Sequence, residues 1–218
     1  MARSRFAVTV EELANIATHG FGLVASLVAF PLLVAFAVRA GDAAAIIGVS
    51  IFAATLVGAY GPSTAYHAMP AGPRRIFWRR VDQAAVYLLI AGTYTPLALG
   101  ALRGAWGWTL LTIVWLAAAV GIGSKVLLRT ESPTLETISY LGMGWLLVVA
   151  IQPLLERIGW AGFMWLLAGG IAYTIGTAFL VCQSRLRFGH CAWHVFVLGG
   201  STCHAIAIVN YALRLPRN

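Results

Sequence analysis

Long apolar runs alternate with short polar segments along almost the whole chain. Seven runs of roughly 20 mostly apolar residues lie at residues 18–38, 44–66, 83–102, 106–128, 137–155, 160–182 and 190–213. A helix needs a run of that length to cross a bilayer, whereas a membrane β-strand needs about ten alternating residues. The pattern therefore predicts an all-α membrane protein, a seven-transmembrane helix bundle that forms a single domain over residues 1–218.

The polar segment before the first run carries a helix-start signal. Thr9-x-x-Glu12 is typical of a capping box, in which the threonine hydroxyl and the glutamate side chain satisfy backbone N–H groups at the helix start. We expect a short interfacial amphipathic helix at about residues 9–17, lying along the membrane surface. No apolar stretch followed by a small-residue cleavage site precedes it, so we expect no cleavable signal peptide.

Composition excludes a soluble domain, and the charges indicate an orientation. Hydrophobic residues make up 60% of the chain, charged residues 10%, and mean hydropathy is +0.83. A soluble fold of this size could not bury so much apolar surface. The net charge of +8 does not indicate nucleic-acid binding, because the basic residues divide between alternate helix ends. One side has Arg39, Arg103, Arg157, Arg214 and Arg217, and the other has Arg3, Arg5, Arg74, Arg75, Arg79, Arg80, Lys125, Arg129, Arg185 and Arg187. The positive-inside rule then predicts a cytoplasmic N-terminus and a C-terminus outside.

Four of the five histidines fall at helix ends that are predicted to face the cytoplasm. His19 begins the first helix, His67 ends the second, and His190 and His194 begin the seventh, while Asp82 begins the third on the same side. Ionisable groups are costly inside a bilayer and commonly mark a functional site. The pattern predicts one polar site on the cytoplasmic side.

His190 and His194 could be a pair of metal ligands, or they could be interfacial or helix-bridging histidines. The presence of His67 and Asp82 at the same predicted depth favours the metal ligands. Residues four apart share a helix face, and histidine is the commonest metal ligand. His67 could supply a third imidazole, which leaves one tetrahedral position open, as in catalytic zinc sites. Asp82 could orient or deprotonate a water there, and Ser63, one turn before His67, could hydrogen-bond that water or a substrate oxygen.

The other two histidines are expected to play different parts. We expect His19 to be a hydrogen-bonded or packing group beside the site. His204 lies ten residues after His194, about 15 Å deeper along the helix, so we expect it to form a buried bridge to a polar partner.

Three motifs together resemble the hemolysin III branch of the progestin and adipoQ receptor (PAQR) superfamily over about residues 9–213. They are Glu12-x-x-Asn15-x-x-Thr18-His19, Ser63-x-x-x-His67 followed by Asp82, and His190-x-x-x-His194 followed by His204. The resemblance implies a seven-helix bundle with zinc (Zn2+) near the cytoplasmic leaflet, with His67, His190 and His194 as ligands and with Asp82 and Ser63 holding a water. The compact length fits the bacterial branch, and so a multi-pass protein of the bacterial plasma membrane.

The superfamily includes adiponectin receptors and is similar to alkaline ceramidases, which implies a zinc-dependent hydrolase of lipid-like amides or esters. Its partners would be membrane lipids and a lipid-like substrate or ligand. The alternatives are a non-enzymatic regulator or sensor of membrane lipids or energetics with structural zinc, a cytolytic protein, and a haem protein with axial histidines. Cytolysis by a pore is less favoured, because no helix carries a row of charges. The sequence does not indicate an oligomeric state.

Overall fold

The computed structural model describes residues 9–213, which form seven α-helices and no strand within that range. The helices are α1 (Val10–Ala40), α2 (Ala43–Ala68), α3 (Pro73–Leu99), α4 (Ala105–Val126), α5 (Pro133–Trp145), α6 (Ile151–Cys182) and α7 (Gly189–Ala207). A 3-10 turn, Leu146–Ala150, joins α5 to α6, and a π-helical turn, Ile208–Ala212, extends α7. The all-α prediction is confirmed.

Several of these helices are long and apolar enough to cross a membrane. Five segments of the described chain qualify: Val10–Ala40, Ala43–Ala68, Ala105–Val126, Pro133–Cys182 and Gly189–Ala212. The fifth and sixth predicted spans fall within one 50-residue segment, and α3 is not among the five. A membrane protein is therefore supported, while the count of seven spans and the orientation of the termini stay predictions.

Helix α1 begins at the predicted cap but continues further than expected. The Thr9 hydroxyl accepts a hydrogen bond from the Glu12 N–H at 3.2 Å, as the first half of a capping box does. The Glu12 carboxylate instead contacts His67 and Arg75. Because the helix runs unbroken from Val10 to Ala40, residues 9–17 are its first turns rather than a separate helix.

Two of the segments between the predicted apolar runs are helical for most of their length in the structure. Residues 73–79 form the beginning of α3, where Pro73 occupies the first helical turn, a position at which proline loses no hydrogen bond. The predicted break between residues 155 and 160 is reduced to one residue, Gly159, whose φ of 66° interrupts α6. A positive φ of this kind is readily adopted by glycine.

Contacts between loops show which helix ends meet. Arg79 contacts Glu131 at 2.6 Å, which joins the start of α3 to the α4–α5 loop. At the opposite end Arg103 pairs with Asp42, which joins the α3–α4 and α1–α2 turns. Helices α2, α3 and α4 therefore alternate in direction. The orientation indicated by the basic residues stays a prediction, and four of those residues lie outside the described range: Arg3, Arg5, Arg214 and Arg217.

Close helix packing depends on small residues at particular positions. A Cβ atom added at Gly92 would lie 2.0 Å from Thr55 Oγ1, and one added at Gly176 would lie 2.7 Å from the Cβ of Phe196. Membrane helices approach closely where such residues are small. The α2–α3 and α6–α7 pairs are held together in this way, and α2 and α7 carry the predicted metal-binding histidines.

Candidate metal centre

Three predicted ligands come together where α2 ends and α7 begins. His67 lies in the last turn of α2, and His190 and His194 lie in the first turns of α7. One ring nitrogen from each of the three lies within 4.8 Å of the others. Within the described part of the chain, this group is therefore close enough to hold one metal ion.

His67 is held by a carboxylate from α1. The ring is 3% exposed, and its Nδ1 lies 2.6 Å from Glu12 Oε2. An ionised carboxylate only accepts hydrogen bonds, so Nδ1 carries the proton and Nε2 keeps its lone pair. Arg75 also pairs with Glu12 and donates to the Met69 carbonyl at 2.8 Å, which fixes the carboxylate between the two helices.

His190 and His194 are oriented by neutral groups. His190 Nδ1 donates to Gln183 Oε1 at 2.7 Å. His194 Nδ1 lies 3.1 Å from Thr18 Oγ1, and that hydroxyl already donates to the Ala14 and Asn15 carbonyls. With its proton used in this way, Thr18 can accept the His194 Nδ1 proton, and in that tautomer the Nε2 lone pair of His194 is available, as it is in His67 and His190.

The donor set fits a metal ion. Each ring uses Nδ1 for a hydrogen bond to an acceptor, and in metal sites that bond fixes the tautomer and raises the basicity of the ligating nitrogen. The Nε2 atoms of His67 and His190 are buried and have no hydrogen-bond partner in residues 9–213. Three neutral imidazoles are a donor set that zinc accepts readily.

Ser63 links the two other polar residues beside the histidines. Its hydroxyl is buried, lies 2.7 Å from His19 Nδ1 and is close to the Asp82 carboxyl group. Asp82 is half-buried on α3 and lies outside the group of three possible ligands. Its predicted place beside the centre, near Ser63, is consistent with this arrangement, and its role stays a prediction.

The two remaining histidines match the expectations for them. His19 bonds to Ser63 and stacks on His194, with ring centroids 3.4 Å apart, which confirms a hydrogen-bonded packing group. His204 Nε2 donates to the Leu166 carbonyl at 3.2 Å and so bridges α7 to α6. This confirms the predicted bridge to a polar partner.

Sequence reasoning missed the residues that orient the histidines. Glu12 and Thr18 were noticed only as parts of a motif. The spacing of Glu12, Asn15 and His19 places those three residues on one helix face, which is a usable signal for a shared polar site. Gln183 lies in the turn after α6, and nothing in the local sequence marks it. Its contact depends on how residues 183–188 turn back towards α7.

A cavity of about 190 Å³ opens beside the histidines. Exposed Glu11 and Gln183 stand at its mouth, while buried Asn15 and His67 lie deeper, together with His190. The candidate centre is therefore reached through a polar opening at the end of the bundle.

Replacing Glu12 with glutamine should lower the zinc affinity about 10- to 100-fold, the usual effect of removing a partner that orients a ligand. The amide no longer fixes the His67 proton on Nδ1 and leaves Arg75 without its carboxylate. Titration of metal-stripped protein against a competing zinc dye measures the change. Glu131→Gln is the matched control, because Glu131 pairs with Arg79 at the same end; equal losses in both variants would contradict a specific role.

The chain is similar to known proteins over most of its length. A family model described as haemolysin-III related matches residues 8–205. The chain is 40% identical over 206 residues to a protein named hemolysin-3 homolog from Bacillus subtilis (strain 168), which covers 94% of this chain and 96% of that protein. It is also 40% identical over 203 residues to hemolysin-3 from Bacillus cereus, covering 93% and 92%. The family resemblance seen in the motifs is confirmed, and the chain belongs to the hemolysin III family.

Proposed function

We propose that this chain is a zinc-dependent membrane hydrolase that cleaves lipid-like amides or esters. The observation that supports it most strongly is the orientation of the three histidines. Each is held through Nδ1 by a different side chain, which leaves the other nitrogen free, and Asp82 stands nearby through Ser63. Histidines that only pack in the core would not need three separate hydrogen-bond partners, one at the Nδ1 atom of each ring.

The chain's own residues supply the proton transfer. A zinc ion at the histidines would polarise a carbonyl group and acidify a water. Asp82 is not one of the three possible ligands, so its carboxylate is free to take a proton from the attacking water. The Ser63 hydroxyl, which is bonded to His19 and close to Asp82, would help to hold that carboxylate in place.

The position of the site indicates the substrate class. His67 lies in the last turn of one apolar helix and His190 in the first turn of another, so the centre lies near a membrane surface rather than at its midplane. Lipid ester and amide groups occupy the same level, between the acyl chains and the polar headgroups. Membrane lipids are therefore the proposed partners, in the bacterial plasma membrane.

A second candidate is a regulator or sensor in which the metal is structural. The cavity beside the histidines has a volume of about 190 Å³, whereas small-molecule sites usually measure about 300–1,000 Å³. Its lining includes Glu12, Asn15 and Gln183, which are polar side chains unsuited to an acyl chain. These features favour a centre that holds an ion without turning over a lipid.

Metal analysis and a hydrolysis assay separate the two candidates. We expect one zinc per detergent-purified chain, and release of fatty acid from at least one member of a broad panel of N-acyl and O-acyl lipids. A chelator-stripped sample is the control. Zinc binding without release of fatty acid above that control would favour the regulator, and absence of zinc would refute both.

We propose seven crossings with the N-terminus in the cytoplasm. The segment Pro133–Cys182 has 50 residues, about 75 Å of helix, more than twice the roughly 30 Å hydrocarbon core, and Gly159 offers a point where it can turn back. Helix α3 packs between α2 and α4, and its polar Thr93, Tyr94 and Thr95 are buried. A helix shielded from lipid in this way can cross without high hydropathy.

Reporter fusions test this topology. A reporter joined after Asn218 should lie outside the cytoplasm, and one inserted in the loop at residues 127–132 should lie inside, because the ten-to-five excess of basic residues marks that side. The loop is preferable to residues 73–79, which belong to α3. The opposite pattern of reporter activity would place the histidines at the outer surface and contradict the proposal.

A further inference from the structure

Acidic side chains stand at the mouth of the cavity, on an end of the bundle that is otherwise strongly basic. Glu11 is exposed there and accepts a hydrogen bond from the Phe188 N–H at 3.2 Å. Glu12 lies one residue further in and pairs with His67 and Arg75. Arg75 offsets the charge of Glu12, so Glu11 is the carboxylate that would draw a cation to the opening.

Two buried ring nitrogens without a partner lie at the inner end of the same cavity. The Nε2 atoms of His67 and His190 have no hydrogen-bond partner in the described residues, and both residues line the cavity. Buried polar groups are nearly always satisfied, so the cavity must offer these nitrogens a water or a cation.

These groups form a graded series of donors from the mouth to the histidines. The first are the carboxylate oxygens of Glu11 and Glu12, and the last are the imidazoles of His67 and His190. Carboxylate and amide oxygens bind hydrated divalent ions readily, whereas imidazole is favoured by zinc over harder ions. An ion moving inward would thus exchange water first for oxygen and then for nitrogen.

We propose that this cavity is the route by which zinc reaches the histidines, with Glu11 as the first capturing carboxylate at its mouth. The proposal rests on the proposed metal centre. It assigns Glu11 a transient cation site, distinct from the group of three histidines.

Glu11→Gln tests the route through the rate of metal uptake. The amide keeps an acceptor oxygen for the Phe188 N–H, so the turn at the mouth is preserved while one negative charge is lost. Metal-stripped protein is mixed rapidly with zinc and a zinc-sensitive dye. We expect uptake to slow about three- to tenfold, since a carboxylate raises the local cation concentration, and the final zinc stoichiometry to stay at the wild-type value.

Glu131→Gln is the control for surface charge. The hydrogen bond from Arg79 and the charge of that arginine lower the pKa of Glu131, so this variant also removes one negative charge at the same end of the bundle. Uptake by Glu131→Gln should match the wild type. A wild-type rate in Glu11→Gln, or equal slowing in both variants, would overturn the route, whereas a wild-type protein that binds no zinc would refute the metal centre itself.

Cys191 gives a second test that needs no metal, because it lines the cavity. In a Cys182→Ser, Cys203→Ser background, a cationic thiosulfonate reagent should modify Cys191 several-fold faster than an anionic reagent of similar size. Adding Glu11→Gln should reduce that preference. Equal rates for the two reagents would contradict a cation-selective opening.

Discussion

Replacing Asp82 with asparagine is expected to reduce lipid hydrolysis about 100- to 10,000-fold, the usual contribution of a general base, while the zinc content stays unchanged. The amide preserves the shape of the side chain and its contact with Ser63, but it cannot take a proton from the attacking water. Fatty-acid release by the two proteins, compared at equal zinc occupancy, measures the effect.

Asp42→Asn is a suitable control for this experiment. Asp42 is also a paired carboxylate, but its partner is Arg103 at the opposite end of the bundle. Its loss should leave turnover within about twofold of the wild type, because surface ion pairs contribute little to stability. An Asp82→Asn protein that keeps full turnover would contradict the assignment of the base, and loss of zinc in that variant would show a structural role instead.

Alanine at His67, His190 or His194 is expected to weaken zinc binding by more than about 100-fold, because removal of a partner that only orients a ligand already costs about 10- to 100-fold. Each variant removes one of the three convergent nitrogens. Competition titration with a zinc dye on detergent-purified, monodisperse protein measures the change in affinity.

His204→Ala is the matched control for the ligand variants. It removes the same ring from α7, the helix that also carries His190 and His194, but His204 contacts the Leu166 carbonyl rather than the candidate centre. Its zinc affinity should equal that of the wild type. An equal loss at His204 would mean that the alanine variants act through misfolding of α7 and would remove the support for direct ligation.

The helical architecture could be predicted from the sequence because it depends on local periodicity and length. The apolar runs located all seven helices, and the Thr9 cap located the start of α1 to within a residue. The details that failed are tertiary. Gly159 forms a one-residue break rather than a loop. The choice between the two depends on how the segments before and after it pack against the other helices, and the local sequence does not determine that packing.

The candidate centre was predictable to the extent that helix geometry alone brings residues together. His190 and His194 share a face in any helix, so their pairing needed no tertiary structure. Glu12 had two competing uses, a capping box and a contact with His67, and the tertiary contact prevails because it satisfies a buried imidazole. The role of Gln183 could not be predicted from the sequence, because its bond to His190 depends on the turn at Phe188, whose φ is 58°.

The hydrogen bond between Thr18 and His194 joins residues that are 176 positions apart. Synthesis delivers the N-terminal helix first, so Asn15, Thr18 and His19 reach the membrane long before the helix that contacts them. Unpaired polar groups are costly within a bilayer, so we expect the first turns of α1 to stay at the surface until α7 arrives. A nascent chain that stops short of Gly189 lacks His190 and His194, so the candidate centre can form only when synthesis is nearly complete.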